Sequence, residues 1–201
     1  MAKLVEIEIH AELLRKACAG DEAAQAAVYT ATAPATFALI RRLMANRAVA
    51  EDVFQDTMMA LFQRLPEFRG EAPLGAWLRQ IAVSKCLMFL RSPWHRARLQ
   101  LGNEGEVDSA HGLGALVTPA PAVEGFDIER ALTSLSPTAR AVVWLYEVEG
   151  YSHEEIARYF GRSISFSKSQ LARAHVKLRQ WFEPNEGRQA CTSIQSNGKV
   201  L

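Results

Sequence analysis

Apolar residues in this chain recur every three or four positions and never alternate over more than a few. The clearest run is Val53, Phe54, Met58, Leu61, Phe62 and Leu65, closed by Pro66. That spacing lines one face of an α-helix, whereas a half-buried strand needs a period of two. The same stripe returns along most of residues 10–100. Leu13, Leu14, Ala17 and Cys18 share a face, and Gly20-Asp21 ends that turn, with Asp21 placed to cap a helix over Glu22–Ala33. Pro34 punctuates, so a separate segment is expected over Ala35–Met44, carrying Phe37, Ile40, Leu43 and Met44. A helix over about residues 48–65 and a loop at 67–73 follow. The next helix runs from Leu74 to Ser92 and is stopped by Pro93, with Trp77, Leu78, Ile81, Cys86, Leu87 and Leu90 as its stripe. With no internal repeat and no period-two run, the expected fold class is all-α.

The periodicity fails between Leu101 and Gly125, where five glycines and the run Thr118-Pro119-Ala120-Pro121-Ala122 stand. This reads as a flexible linker. Its sign is uniform: residues 101–129 contain Glu104, Glu106, Asp108, Glu124, Asp127 and Glu129 with no Lys or Arg. Helical text resumes over residues 127–182. Asp127 can cap Ile128–Leu135, and Ser136-Pro137 is an N-cap followed by an N1 proline for a helix to about Glu147. Ser152 with Glu155 forms a capping box for His153–Phe160, and Arg162 or Ser163 opens a last helix to about Trp181. Residues 183–201 form a polar tail, expected to be disordered. The expectation is two small helical domains, 10–100 and 127–182, joined by an acidic linker at 101–125.

Several function classes drop out. Cys18, Cys86 and Cys191 include no C-x-x-C pair, and an odd count with no export segment fits a reducing cytoplasm. No run approaches 18 apolar residues, so no membrane insertion is expected. His10, His95, His111, His153 and His175 are scattered, without metal-ligand spacing, and no Gly-rich phosphate loop occurs. No metal, no cofactor and no enzyme activity is expected.

Charge, nearly balanced over the whole chain at 23 Lys plus Arg against 22 Asp plus Glu, is segregated locally. Ile156, Ala157, Phe160 and Gly161 have helix-turn-helix spacing, with Gly161 suited to the left-handed turn. The helix after it is wholly basic: residues 161–181 hold Arg162, Lys168, Arg173, Lys177 and Arg179 and no acid, while Glu147, Glu149, Glu154 and Glu155 precede it. Leu171, Val176, Leu178 and Trp181 are expected to bury. Ser165, Lys168, Ser169, Ala172 and Arg173 lie near the opposite face, where a recognition helix meets base edges and phosphates. The plainer alternative is a two-helix turn with a solvated basic face. In the first block, Glu51, Asp52, Gln55 and Asp56 stand at a helix start, where acids complement the dipole. Asp52, Gln55 and Asp56 also share one face that could dock a basic partner. Phe68, Arg69, Trp77 and Arg79 mix aromatics with cations, and residues 76–100 add Lys85, Arg91, Arg96 and Arg98 without an acid. Such mixtures suit stacking on exposed bases, although Trp77 suits a core equally well.

The stretches Ala50-Glu51-Asp52-Val53-Phe54-Gln55-Asp56-Thr57, Phe68-Arg69-Gly70-Glu71 and Ala76-Trp77-Leu78-Arg79-Gln80-Ile81-Ala82 resemble the second region of bacterial extracytoplasmic-function sigma factors. Leu135-Ser136-Pro137, Gly150-Tyr151-Ser152-His153-Glu154-Glu155-Ile156-Ala157 and Lys168-Ser169-Gln170-Leu171-Ala172-Arg173-Ala174 are similar to the fourth region. The resemblance covers about residues 10–182. It implies a promoter-recognition factor that performs no bond chemistry. Core RNA polymerase would dock on Asp52, Gln55 and Asp56. The −10 element would meet Phe68, Arg69, Trp77, Arg79, Lys85 and Arg91, and the −35 element Arg162, Ser165, Lys168, Ser169 and Arg173. The linker would thread the polymerase cleft. Partners implied are core polymerase, promoter DNA and, as regulator, an anti-sigma protein or a Ser/Thr kinase acting near Thr57. The sequence departs from the family pattern at Val83, Ser84 and Met88, at Arg162, and at Ser167, where a buried valine is usual; Phe166 could turn inward to compensate. Rival readings are a helix-turn-helix regulator with a helical sensor domain, and an all-α adaptor for a basic protein.

Overall fold

The computed structural model describes residues 4–44, 46–92 and 125–182, and among these every regular element is helical. The expected linker, apart from Gly125, and the tail at 183–201 lie outside the described residues. The first unit contains α1 (Ala11–Cys18), α2 (Glu22–Leu43), α3 (Arg47–Arg64) and α4 (Leu74–Arg91), with 3-10 turns at Leu4–Glu6 and Leu65–Glu67. The second contains α5 (Gly125–Thr133), α6 (Pro137–Val143), a π-turn at Trp144–Val148, α7 (His153–Phe160) and α8 (Ile164–Phe182).

Local chemistry sets most boundaries. The Asp21 carboxylate accepts from Ala24 N at 2.7 Å, starting α2 where expected. Ser136 caps α6 ahead of Pro137. Ser152 and Glu155 make both halves of the capping box, and Gly161 closes α7 in the left-handed conformation at φ 60°. Ser163 Oγ accepts from Phe166 N at 3.3 Å at the entry to α8.

Four expectations are corrected. Asp127 does not cap a helix over Ile128–Leu135 but lies inside α5, which runs from Gly125 to Thr133. Pro34 does not divide its neighbourhood: α2 is one helix of 22 residues with the proline inside. A proline removes one ladder hydrogen bond and crowds the carbonyl four residues back. Here both halves of α2 are anchored by burial, with Val28 and Thr32 on one side of the proline and Leu39, Ile40 and Leu43 on the other. The helix to Glu147 instead stops at Val143 and widens into the π-turn. On α8 the inward stripe is Ser167, Leu171, Ala174 and Leu178, spaced by four, three and four. Val176 points elsewhere and is 55% exposed, and Trp181, 39% exposed, lies on the last turn.

The first unit closes over Val28, Ile40, Leu43, Leu61, Leu65, Leu78, Val83 and Leu87, all fully buried, with Phe37 edge-on to Phe54 at 5.4 Å. The second closes over Val142, Leu145, Ile156 and Leu171. The two units touch, α2 against α6 and α4 against α7. The buried Arg140 of α6 donates through Nε to the Arg42 carbonyl at 2.7 Å and through Nη2 to the Arg41 carbonyl at 3.4 Å. Those carbonyls belong to the last turn of α2, which has no intrahelical donors left for them.

Candidate polymerase and nucleic-acid interface

On α3 the N-cap is Asn46, whose side chain accepts from Val49 N at 3.1 Å, and the first turn holds no acid. The sequence reading placed Glu51, Asp52 and Asp56 at the helix start. They lie about one to two and a half turns further in, where the dipole effect has faded. Glu51 pairs with Arg47 at 2.8 Å. Asp52, Gln55 and Asp56 are exposed on one stripe, and the next position on that stripe is Met59, 60% exposed. Sequence periodicity grouped Met59 with no site, because a lone methionine off the core stripe carries no local signal. Thr57 behaves differently. It is fully buried, and its hydroxyl donates to the Val53 carbonyl at 2.7 Å. A kinase would have to open α3 to reach it.

The end of α3, the turn after it and the start of α4 gather a cation–aromatic cluster. Phe68 packs against Trp77 with ring centroids 5.1 Å apart, and the Arg64 guanidinium lies 5.7 Å from the Trp77 ring. Both rings are half-buried, so Trp77 is at once core and rim. Arg64 was missed in the sequence because it sits 13 positions from its ring. Arg69 is exposed, with Glu71 at 3.9 Å. Along α4, Lys85 is half-buried while Met88 and Arg91 are exposed. Arg79 faces the second unit instead: Nη1 donates to the Glu149 carbonyl at 3.1 Å and lies 3.6 Å from its carboxylate. The guanidinium also lies 4.9 Å from the Tyr151 ring. The structure therefore does not gather the six predicted −10 residues into one free surface.

In the second unit Arg162, Ser165, Lys168, Ser169 and Arg173 are all exposed, on the turn and the N-terminal half of α8. Ser169 Oγ donates to the Phe166 carbonyl at 2.9 Å, and Arg173 Nε donates to the Ser169 carbonyl at 3.2 Å, which lays that guanidinium back along the helix. The departure at Ser167 has a specific consequence. Ser167 is fully buried, and its Oγ lies 3.0 Å from Nδ1 of His153, the first residue of α7. His153 stacks on Tyr146 at 4.4 Å, and Phe166 turns inward onto Phe160 at 5.5 Å. A second histidine, His175, meets Glu147 at 3.0 Å. Burial pushes the Tyr151 hydroxyl up to about 12, against a smaller opposing pull from Arg79. The Ser152 backbone and hydroxyl hold the Glu155 carboxyl below its ordinary value. Among the described residues no group of three His, Cys, Asp or Glu could hold a metal, and no helix is long and apolar enough to cross a membrane.

A helical unit with an exposed acidic stripe and a cation–aromatic loop, followed by a capped helix-turn-helix with a basic outward face, defines a two-part helical factor of the DNA-binding class. Residues 28–96 match the family Sigma-70 region 2, and residues 126–178 match Sigma-70, region 4. The chain belongs to the sigma-70 family, in its extracytoplasmic-function group. It is 28% identical over 184 residues to the probable RNA polymerase sigma factor RfaY of Xanthomonas campestris, covering 89% of this chain but 45% of that protein. It is 29% identical over 176 residues to the ECF RNA polymerase sigma factor SigM of Mycobacterium tuberculosis, covering 84% of this chain and 82% of that one. Among solved structures, the sigma factor RpoE of Bartonella quintana, in complex with the anti-sigma factor NepR, matches with a TM-score of 0.51 and 25% identity. That match covers 76% of this chain and 92% of the other.

Proposed function

We propose that this chain is an alternative sigma factor that joins core RNA polymerase and directs it to promoters. In this reading residues 10–100 bind polymerase and the −10 element, the acidic stretch 101–125 joins the two units, and 127–182 read the −35 element. The stripe Asp52, Gln55, Asp56 and Met59 docks a basic, partly apolar helical surface of the polymerase. Arg64 and Arg69 with Phe68 and Trp77 capture unstacked bases, while Lys85 and Arg91 neutralise phosphates. Arg162, Ser165, Lys168, Ser169 and Arg173 enter the major groove. Melting is driven by tighter binding to the open strand, with no bond made or broken by the protein. An anti-sigma protein is the regulator this reading favours, because the buried Thr57 gives a kinase no access.

One observation carries the reading above a helix-turn-helix regulator: the acidic stripe on α3 is exposed and lies beyond the turn that Asn46 caps. Helix stability does not need those acids there, and neither a sensor domain nor a DNA-binding unit alone accounts for them, while an adaptor for a basic protein leaves the exposed Arg162, Lys168 and Arg173 of the helix-turn-helix without a role. The test is Asp52→Lys with Asp56→Lys in the full chain. Removing charges desolvated in an interface costs about 2–5 kcal/mol of binding, so affinity for core polymerase should fall by at least about thirtyfold, with helicity by circular dichroism unchanged. Unchanged affinity in a folded double variant sinks the assignment.

A further inference from the structure

Arg79 lies in the stretch assigned to the −10 element, yet the second unit already occupies it. The Glu149 carbonyl accepts from Nη1, the Glu149 carboxylate lies 3.6 Å away, and the Tyr151 ring covers the guanidinium. Glu149 is itself aimed: its Oε1 accepts from Trp144 Nε1 at 3.2 Å. The Trp144 ring in turn carries the Arg42 guanidinium at 5.1 Å. Together with Arg140 on the end of α2, these contacts hold the two units shut at two places on the seam.

A closed body of this size has a radius of gyration of about 15 Å and a breadth of roughly 40 Å. Two DNA elements centred roughly 25 base pairs apart are separated by about 85 Å of duplex. The shut arrangement cannot reach both. The chain between Arg91 and Gly125 counts 34 residue steps, and a stretch of that length has a contour of about 110 Å, enough to span both elements. The seam is finished in a way that suits parting. Arg79 Nε and Tyr151 Oη are buried in it with no hydrogen-bond partner, and water would satisfy both once the units separate.

We propose that Glu149, oriented by Trp144, is an internal stand-in for a DNA phosphate: it occupies Arg79 and latches the second unit onto the first until polymerase engagement displaces it. The occupant is matched in kind, since a carboxylate and a phosphate oxygen both accept charge-assisted hydrogen bonds from a guanidinium. The functional half of this inference rests on Arg79 belonging to the −10 surface, while the latch itself does not.

The test is single-molecule energy transfer on the full-length chain, with dyes on the exposed faces of α1 and α8 and no DNA present. The parent should populate chiefly the high-transfer state. Glu149→Ala should raise the open-to-closed ratio by about five- to tenfold. Tyr151→Phe should move it the other way, by about twofold or more, because the ring still covers Arg79 while the unpaired hydroxyl is gone. Core polymerase should convert the parent to low transfer. If both substitutions shift the ratio as stated but polymerase leaves transfer unchanged, the latch stands and the sigma-factor reading fails. A parent that is open throughout, or a folded Glu149→Ala variant and a Tyr151→Phe variant that both stay within twofold of the parent, overturns the latch.

Discussion

The bond between Ser167 and His153 joins the recognition helix α8 to the first residue of α7, and its removal has a calculable consequence. Ser167 Oγ is fully buried and lies 3.0 Å from the imidazole. Ser167→Ala deletes one partner and leaves His153 Nδ1 facing a methyl group. His153 is half-buried and water recovers part of the loss, so the cost should be about 1 kcal/mol, at the low end for an orphaned buried group. Ser167→Val deletes the same bond but adds apolar volume at a fully buried position, returning up to about 1.5 kcal/mol where the site accommodates it. The expected order of stability is therefore alanine lowest, with serine and valine close together. His153→Leu and the double variant Ser167→Ala, His153→Leu complete a cycle, and the coupling should be about 1 kcal/mol. The assay is urea denaturation of the full chain followed by tryptophan fluorescence. Additivity of the two single effects to within about 0.3 kcal/mol would refute the claim that this bond fixes the helix. The same bond sets the roll of α8. A roll of about 10° moves a side-chain atom some 6 Å from the helix axis by about 1 Å, so a stable valine variant should bind promoter DNA with an altered base preference.

Gly161→Ala should cost about 1–2 kcal/mol, because the left-handed backbone penalises any Cβ. The space itself is adequate, with Arg91 Nη1 the nearest atom at 3.5 Å; an unchanged midpoint in thermal unfolding would show that the turn relaxes freely. Gly75→Ala places a methyl group against the Leu4 backbone carbonyl, so the turn at Leu4–Glu6 should lift off α4. Hydrogen exchange at Leu4–Ile7 should quicken while the α4 core stays protected, and unchanged exchange there would refute the close approach. For pH, the depressed Glu155 carboxyl contributes stability above its ordinary value near 4.5, and that contribution disappears as pH falls through its lower folded value. Glu155→Gln can keep the hydrogen bond to Ser152 and should remove this small part of the acid sensitivity; an acid-unfolding curve identical to the parent's would refute the capping box as its source.

What the sequence disclosed, and what it hid, divides along range of interaction. The helices over 74–91 and 153–160 were legible because their stripes, caps and the glycine at 161 act within a few residues. Pro34 misled because the proline penalty is local, while the burial that holds α2 together comes from packing on other helices. The acids at 51–56 show how loosely a helix start is read from charge: with Asn46 as the cap, Asp52 and Asp56 are the sixth and tenth residues of α3, beyond the turn where the dipole acts, so a binding role explains the cluster better. The basic face of α8 was visible as one-sided charge, yet Val176 and Trp181 were assigned inward because a helix at the edge of a small bundle buries one narrow stripe. Arg79 marks the limit. Its residue type and neighbours identified it as a cation beside aromatics, but its partner lies 70 positions away, and no local pattern announces such a pairing. Composition treats the acids of the second unit as a counterweight that keeps the net charge near zero. In the fold one of them, Glu149, is spent on a particular guanidinium, so the same acid that balances the charge also decides whether a nucleic-acid contact is free.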